Sequence, residues 1–260
     1  APYIDDEDRK SVMEALAASE ISGTHGKFIK EFEDGFAAYC GVKYGVATSN
    51  GTTAIHLALA TLGIKEGDEV LVATFTNMAT FMAVLYQGAK PIPIDIEPDT
   101  LNLDPSLLTE KITPKTKAII VIHVYGHPVD MGRVMQIAKS KGLFVIEDAA
   151  EAHGAEYLPA EARAQAGNGK KIGSLGDIAC FSFYANKMIT TGEGGMIVTI
   201  NKELADKARS LGSLAYGDKN KFMHKDIGFN YRMTNLQAAL GVSQLKKIEK
   251  TIQKKRAIAD

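Results

Sequence analysis

Hydrophobic positions in this chain change their period several times, and each change marks an element. Phe32, Phe36 and Tyr39 recur at helical spacing and predict a helix over 28–40, preceded by another over 5–18. From residue 44 onward, short apolar runs alternate with amphipathic stretches. The runs at 44–48, 69–73, 91–95, 118–124 and 143–147 read as strands. The stretches 54–62, 77–87, 105–111 and 130–141 read as helices, the first stopped by Gly63. Pro91 and Pro93 place the third run at a sheet edge or a strand start.

The stretch from Cys180 to Thr199 organises the rest. It reads as a buried strand, a loop carrying Lys187, a glycine-rich turn and a second buried strand around Met196, Ile197 and Val198. Strands apolar on both faces and alternating with helices predict a three-layer α/β/α architecture with a mostly parallel seven-stranded sheet. The last two strands are joined by a loop with no room for a helix, so that pair is expected to be antiparallel. Leu245, Ile248 and Ile252 fall at i, i+3 and i+7 and predict one helix running to the end of the chain. That helix meets no glycine or proline stop, so the sequence is expected to be a fragment. The division expected is a large domain over 1–235, with 236–260 starting a helix that links to a small C-terminal domain.

Composition narrows the classes. Hydrophobic residues make up 45% and charged residues 23%, ordinary for a globular protein. A net charge of −1 gives no reason to propose nucleic acid or an anionic membrane as a partner. No apolar stretch reaches the roughly 18 residues of a membrane span, and the expected address is cytoplasmic. Cys40 and Cys180 are too few and too far apart for a disulfide framework or zinc site, and both are expected to be reduced core residues.

Ligands of such sheets collect at the carboxyl ends of the strands, and three groups are expected there. Ser49-Asn-Gly-Thr-Thr53 joins a strand to a helix N-terminus; Gly51, the free amides and the hydroxyls of Thr52 and Thr53 suit a phosphate, while a plain helix cap is the alternative. Glu147 and Asp148 follow an apolar strand, where carboxylates need a positive or proton-donating partner. A protonated ring nitrogen would serve; a metal would also, but no third ligand stands at a suitable spacing; a cap for the next segment is the bland reading. Lys187 is either a solvated loop lysine or one lowered into a pocket, where desolvation favours the neutral amine that forms a Schiff base. His123 and His127 lie on a strand end rather than a helix and read as satisfied histidines. The loop 22–27 lacks the spacing of a phosphate-binding P-loop, and no G-x-G-x-x-G turn follows the first strand. Together the three groups ask for a ligand with a phosphate, a ring nitrogen and a carbonyl carbon, which is pyridoxal phosphate.

The runs Ser49–Ala54, Val145–Ala152, Gly173–Asp177, Phe181–Lys187 with Thr190–Gly195, and Gly228–Ala238 are spread over the chain from residue 49 to residue 238. In them the sequence resembles the sugar-nucleotide aminotransferases of the DegT/DnrJ/EryC1/StrS family, fold-type I pyridoxal-phosphate enzymes, and within it the 4-aminotransferases of the perosamine-synthase type. The resemblance implies transamination of a nucleotide-linked 4-keto-6-deoxy sugar with L-glutamate as amino donor. It implies that Lys187 holds the cofactor and shuttles protons, that Asp148 keeps the pyridine nitrogen protonated, and that Glu151 lies near the ring hydroxyl. Gly51, Thr52 and Ser182 would hold the phosphate. Asn230 would reach the phosphate of the neighbouring subunit, making a homodimer the smallest active unit. Tyr184, Asn186 and Arg232 would contact substrate. Related sugar dehydratases carry histidine at the Lys187 position, and a regulatory protein without turnover would not need Lys187, Asp148 and Ser182 together. A 3-aminotransferase of the same family is a further alternative. The chain departs from the family at the cofactor-lining position Asn77, where an aromatic residue commonly stacks on the ring. It also departs in a long alanine-rich link over 158–169, expected to hold a short extra helix, and in lacking the small C-terminal domain.

Overall fold

The computed structural model describes residues 2–158, 169–216, 222–224 and 226–259. Two helices, α1 (Asp6–Ala17) and α2 (Lys27–Cys40), precede the sheet. There follow β1 (Tyr44–Thr48), α3 (Gly51–Leu62), β2 (Glu69–Ala73), α4 (Met78–Tyr86), β3 (Lys90–Ile94), the short α5 (Leu108–Lys111) and β4 (Thr116–Ile122). Then come α6 (Met131–Lys141), β5 (Phe144–Asp148), a two-stranded ribbon of β6 (Glu156–Tyr157) and β7 (Lys170–Lys171), β8 (Ile178–Ser182) and β9 (Gly195–Thr199). Three helices close the chain: α7 (Lys202–Gly212), α8 (Asn235–Lys246) and α9 (Ile248–Ala259).

The main sheet has seven strands in the order β1-β9-β8-β5-β4-β2-β3. The pairs from β8 through β5, β4 and β2 to β3 are all parallel. β9 runs antiparallel to both β8 and β1. The proline-bearing β3 takes an edge, where its missing N–H groups cost no ladder bonds.

Alternation along β8 and β9 sorts side chains between two cores. Ala179, Phe181, Met196 and Val198 join Phe32 and Phe36 of α2 and Ala238, Ala239 and Val242 of α8. Cys180 and Ile197 point the other way, into a cluster with Leu57 of α3 and Ala208 of α7. Both strands are buried along their whole length, as the apolar runs predict. Both cysteines are buried and unbonded.

Two expectations differ. The strand expected over 118–124 ends at Ile122, and His123 and Val124 begin a tight turn instead. The single helix expected over the last residues is two, α8 and α9, meeting at Lys247, whose ammonium is held by Asp5 at 2.7 Å and Asp8 at 2.8 Å. Ala238, Ala239, Val242, Ile248 and Ile252 pack into the core with α1 and α2, so both helices lie on the sheet's outer layer. The helix expected within 158–169 falls largely outside the described residues.

Candidate active site

Three loops leave the sheet on one side and border a cavity of about 800 Å³. Its lining includes Gly51, Thr52 and Thr53 after β1, Asp148 and Glu151 at the end of β5, and Ser182, Tyr184, Asn186 and Lys187 after β8. Asn77 and the aromatic side chains of Phe75 and Tyr125 complete the wall.

The first loop caps a helix and leaves groups that suit an anion. Asn50 caps α3 by accepting the Thr53 N–H at 2.9 Å, and the Thr53 hydroxyl accepts the Asn50 N–H at 3.1 Å. That hydroxyl also donates to the Asn50 carbonyl at 2.8 Å. Capping therefore commits Thr53, which the sequence alone offered to a phosphate. Gly51 and Thr52 are the first two residues of the helix, and their amides have no carbonyl one turn back. They and the Thr52 hydroxyl are the groups left for an anion at a helix N-terminus. Gly51 is small because of β8: a Cβ there would lie 2.9 Å from the Ser182 Cβ and 3.2 Å from its Oγ. The glycine brings the Ser182 hydroxyl beside the same groups.

The acidic pair divides its work. Glu147 and Asp148 are the last two residues of β5, so their side chains point to opposite faces. Glu147 is fully buried and accepts from the amides of Gly173, Leu175 and Gly176 and from His123 Nε2. Burial opposes its ionisation, yet His123 and these amides outweigh burial and hold the carboxyl below its ordinary range. His123 Nδ1 accepts the Val129 N–H at 3.2 Å, so the proton sits on Nε2 and both ring nitrogens are satisfied.

Asp148 faces the cavity, 5% exposed. The Thr80 hydroxyl donates to its Oδ2 at 2.8 Å and the Ala150 N–H to its Oδ1 at 3.2 Å. Burial nevertheless pushes its pKa up, against these bonds and the nearby His123 and Lys187. An ionised Asp148 thus lacks a full counter-charge in this chain, which is the condition a ring N–H would relieve.

Lys187 is not a solvated loop lysine. Its side chain is 16% exposed, and its ammonium pairs with Glu151 Oε1 at 3.2 Å. The Glu151 carboxylate also accepts the Tyr125 N–H. Tyr125 has a left-handed backbone, φ 50°, which turns the chain at the end of β4 towards Glu151. The loop bearing Lys187 returns to the sheet by pairing Tyr184 with Gly192, and Ser182 sits opposite Gly195. Tyr184, Asn186 and Lys187 also border a second cleft of about 800 Å³, lined by Lys247, Lys250 and Lys254.

Other expected residues are placed differently. Asn77 lines the cavity, but its side chain caps α4 by accepting the Ala79 N–H at 2.9 Å, and it offers no ring face. Asn230 is exposed and bridges Ser213; Arg232 donates to the Ser213 hydroxyl at 3.2 Å; neither borders the cavity of this chain. Thr80 was not foreseen. It falls in a stretch that reads as plain helix, and the available signal was a hydroxyl on the buried stripe it shares with Ala83 and Val84.

His153 lies behind the site, packed on Phe181 and Phe183. Burial, then the positive charge of Lys187, pushes its pKa down to about 3. The unfolded chain takes up this proton near pH 6.5 while the folded one does so only near 3, so folding loses stability as pH falls through that window. His153→Asn should flatten the stability–pH curve between pH 6.5 and 3 by about one proton, measured by urea unfolding at several pH values.

A model of the DegT/DnrJ/EryC1/StrS aminotransferase family matches residues 2–260. The chain belongs to this family. It is 48% identical over 249 residues to GDP-perosamine synthase of Caulobacter vibrioides, covering 96% of the chain and 64% of that protein. It is 45% identical over 259 residues to GDP-perosamine synthase of Escherichia coli O157:H7, covering 100% of the chain and 68% of that protein. Among solved structures, NtdA of Bacillus subtilis with bound cofactor PMP superposes with a TM-score of 0.81 at 33% identity, over 94% of this chain and 54% of that one. The chain thus spans about two thirds of the length of these curated relatives. For a DegT/DnrJ/EryC1/StrS member, the donor set fits pyridoxal phosphate: a recessed amine, an under-compensated carboxylate, and a helix N-terminus with a serine hydroxyl for the phosphate.

Proposed function

We propose that this chain carries the catalytic machinery of an aminotransferase that moves an amino group from L-glutamate to the C4 ketone of a nucleotide-linked 4-keto-6-deoxy sugar. One observation carries the reading: Lys187, Asp148 and the N-terminus of α3, from three separate parts of the sequence, border one cavity. Pyridoxal phosphate, when bound, supplies an aldehyde for amines and a ring that accepts an electron pair. The residues do the rest. The Gly51 and Thr52 amides, with the Thr52 and Ser182 hydroxyls, bind the phosphate. Asp148 accepts the ring N–H and keeps the ring an electron sink. Lys187, as the neutral amine, takes a proton from the amino donor's carbon and returns it one stage later, then runs the same transfer in reverse on the sugar. Glu151, which pairs with Lys187, would meet the ring hydroxyl.

GDP is the nucleotide favoured by the likeness to the two perosamine synthases, and Tyr184 and Asn186 are the substrate contacts the cavity favours. Asn230, exposed on this chain, is free to meet a second subunit's phosphate, which supports a homodimer with shared sites. No helix among the described residues is long and apolar enough to cross a membrane; a cytoplasmic enzyme feeding O-antigen or other polysaccharide assembly is the setting proposed. The test is an assay of the full-length protein with GDP-, dTDP- and UDP-linked 4-keto-6-deoxy sugars and L-glutamate. The GDP substrate should give the highest kcat/KM with formation of 2-oxoglutarate; no turnover of any of the three sinks the proposal.

A further inference from the structure

Thr80 sits at the third position of α4, fully buried, above Ala83 and Val84. A valine would fill the same space without a hydroxyl to satisfy, and a buried hydroxyl is costly without a partner. The hydroxyl has one proton and two neighbours: Asp148 Oδ2 at 2.8 Å and Thr76 Oγ1 at 3.0 Å. An ionised carboxylate only accepts, so the Thr80 proton goes to Asp148. The Thr76–Thr80 contact then has one polarity, with Thr76 donating and Thr80 accepting. Thr76 borders the cavity. Two hydroxyls in series polarise each other and strengthen the bond that ends on the carboxylate.

We propose that Thr80, aligned by Thr76, is a positioning residue for Asp148: it fixes the carboxylate's rotamer and favours its anion, so that the anion can accept the N–H of the cofactor ring. The inference deepens the reading above and rests on it, because it assigns Asp148 to the ring nitrogen. The Ala150 N–H is the second donor to this carboxylate, and the titratable groups that act on it are His123 and Lys187. Without the Thr80 hydroxyl, Oδ2 loses its side-chain donor on a carboxylate that is 5% exposed. The proton shared between ring nitrogen and carboxylate then shifts to the carboxylate, leaving a neutral ring that is a poorer electron sink.

The experiment compares wild type, Thr80→Val, Thr80→Ser and Thr76→Ala in the full-length protein, each titrated with pyridoxal phosphate labelled with ¹⁵N in the ring. The wild type should bind the cofactor and show a pyridinium ¹⁵N shift; failure to bind it overturns the reading of the site itself, separately from the role of Thr80. Thr80→Val should lower kcat about ten- to a hundredfold, with KM for glutamate within about twofold, and should move the ¹⁵N signal towards neutral pyridine. Thr80→Ser should stay within about threefold of wild type and keep the pyridinium signal. Thr76→Ala should lower kcat about two- to fivefold and move the signal in the same direction, and it serves if the valine variant does not fold. The inference is overturned if Thr80→Val binds the cofactor with an unchanged ¹⁵N shift and kcat. It is overturned equally if Thr80→Ser is as impaired as Thr80→Val, which would make the methyl group the part that matters, or if Thr76→Ala leaves both readouts unmoved.

Discussion

Lys187→Ala should leave a folded protein that no longer retains pyridoxal phosphate after borohydride reduction and transaminates roughly 10⁴-fold more slowly or worse. The structural cost of the change is small. Its partner Glu151 is nearly half exposed, and an ion pair open to water on one side contributes only about 0–1 kcal/mol. The chemical cost is large because, among the described residues, Lys187 is the one lysine bordering the cavity, and Lys247 of the adjoining cleft is held by Asp5 and Asp8. Lys187→Arg separates the two roles of the side chain. It keeps a positive charge opposite Glu151 but has no neutral amine at any working pH. Both variants should be inactive, with melting temperatures within a few degrees of wild type. A mass shift from reductively trapped cofactor on the alanine variant would show that another residue carries it.

Asp148→Asn should slow turnover about 10²- to 10⁴-fold while cofactor still binds. The amide keeps one acceptor oxygen, for the Thr80 hydroxyl, while its NH2 replaces the oxygen that accepted the Ala150 N–H; the side chain keeps its outline and the N-terminus of α3 is untouched. What is lost is the negative charge that holds a proton on the ring. The same substitution should leave the cofactor-free protein at least as stable at pH 7. Burial raises the folded-state pKa of Asp148, so its ionised form opposes folding at neutral pH; that cost begins to shrink only as pH falls through the folded pKa and is gone near the ordinary value of 3.8. Asparagine removes the charge and with it the cost. Thermal unfolding of both proteins without cofactor tests the sign, and a clearly less stable asparagine variant contradicts it. Activity and stability move apart at this residue, as is common where a site holds charge for a ligand.

The fold was largely legible because the sheet is buried on both faces. Continuous apolar runs such as those in β4, β8 and β9 place strands within two residues, and the lack of a helix between Ser182 and Gly195 dictates the antiparallel turn. That Lys187, Asp148 and Gly51 meet at one cavity was legible because each is a chemically costly or conformationally special residue near a strand end; Ser182 came from the family resemblance alone. What stayed hidden depends on pairings across the chain. Thr53 is the local exception: the helix-cap reading of residues 49–53 was open, and its hydroxyl is spent on Asn50 three residues away. Nothing near Thr80 points to a carboxylate 68 residues away. The break at Lys247 was hidden because the apolar spacing from Leu245 to Ile252 continues across it, and the acids that hold Lys247 there, Asp5 and Asp8, lie at the other end of the chain.

The place of β1 at the sheet's edge has a consequence for biosynthesis. Its one neighbour is β9, with Tyr44 opposite Thr199, so about 150 residues must leave the ribosome before the first strand made finds a partner. The loop that leads to the N-terminus of α3 hangs from that strand, and contacts of such long sequence separation form late. A nascent chain would therefore bring Lys187 and the loop after β1 to one cavity only once β9 has been made and paired with β1.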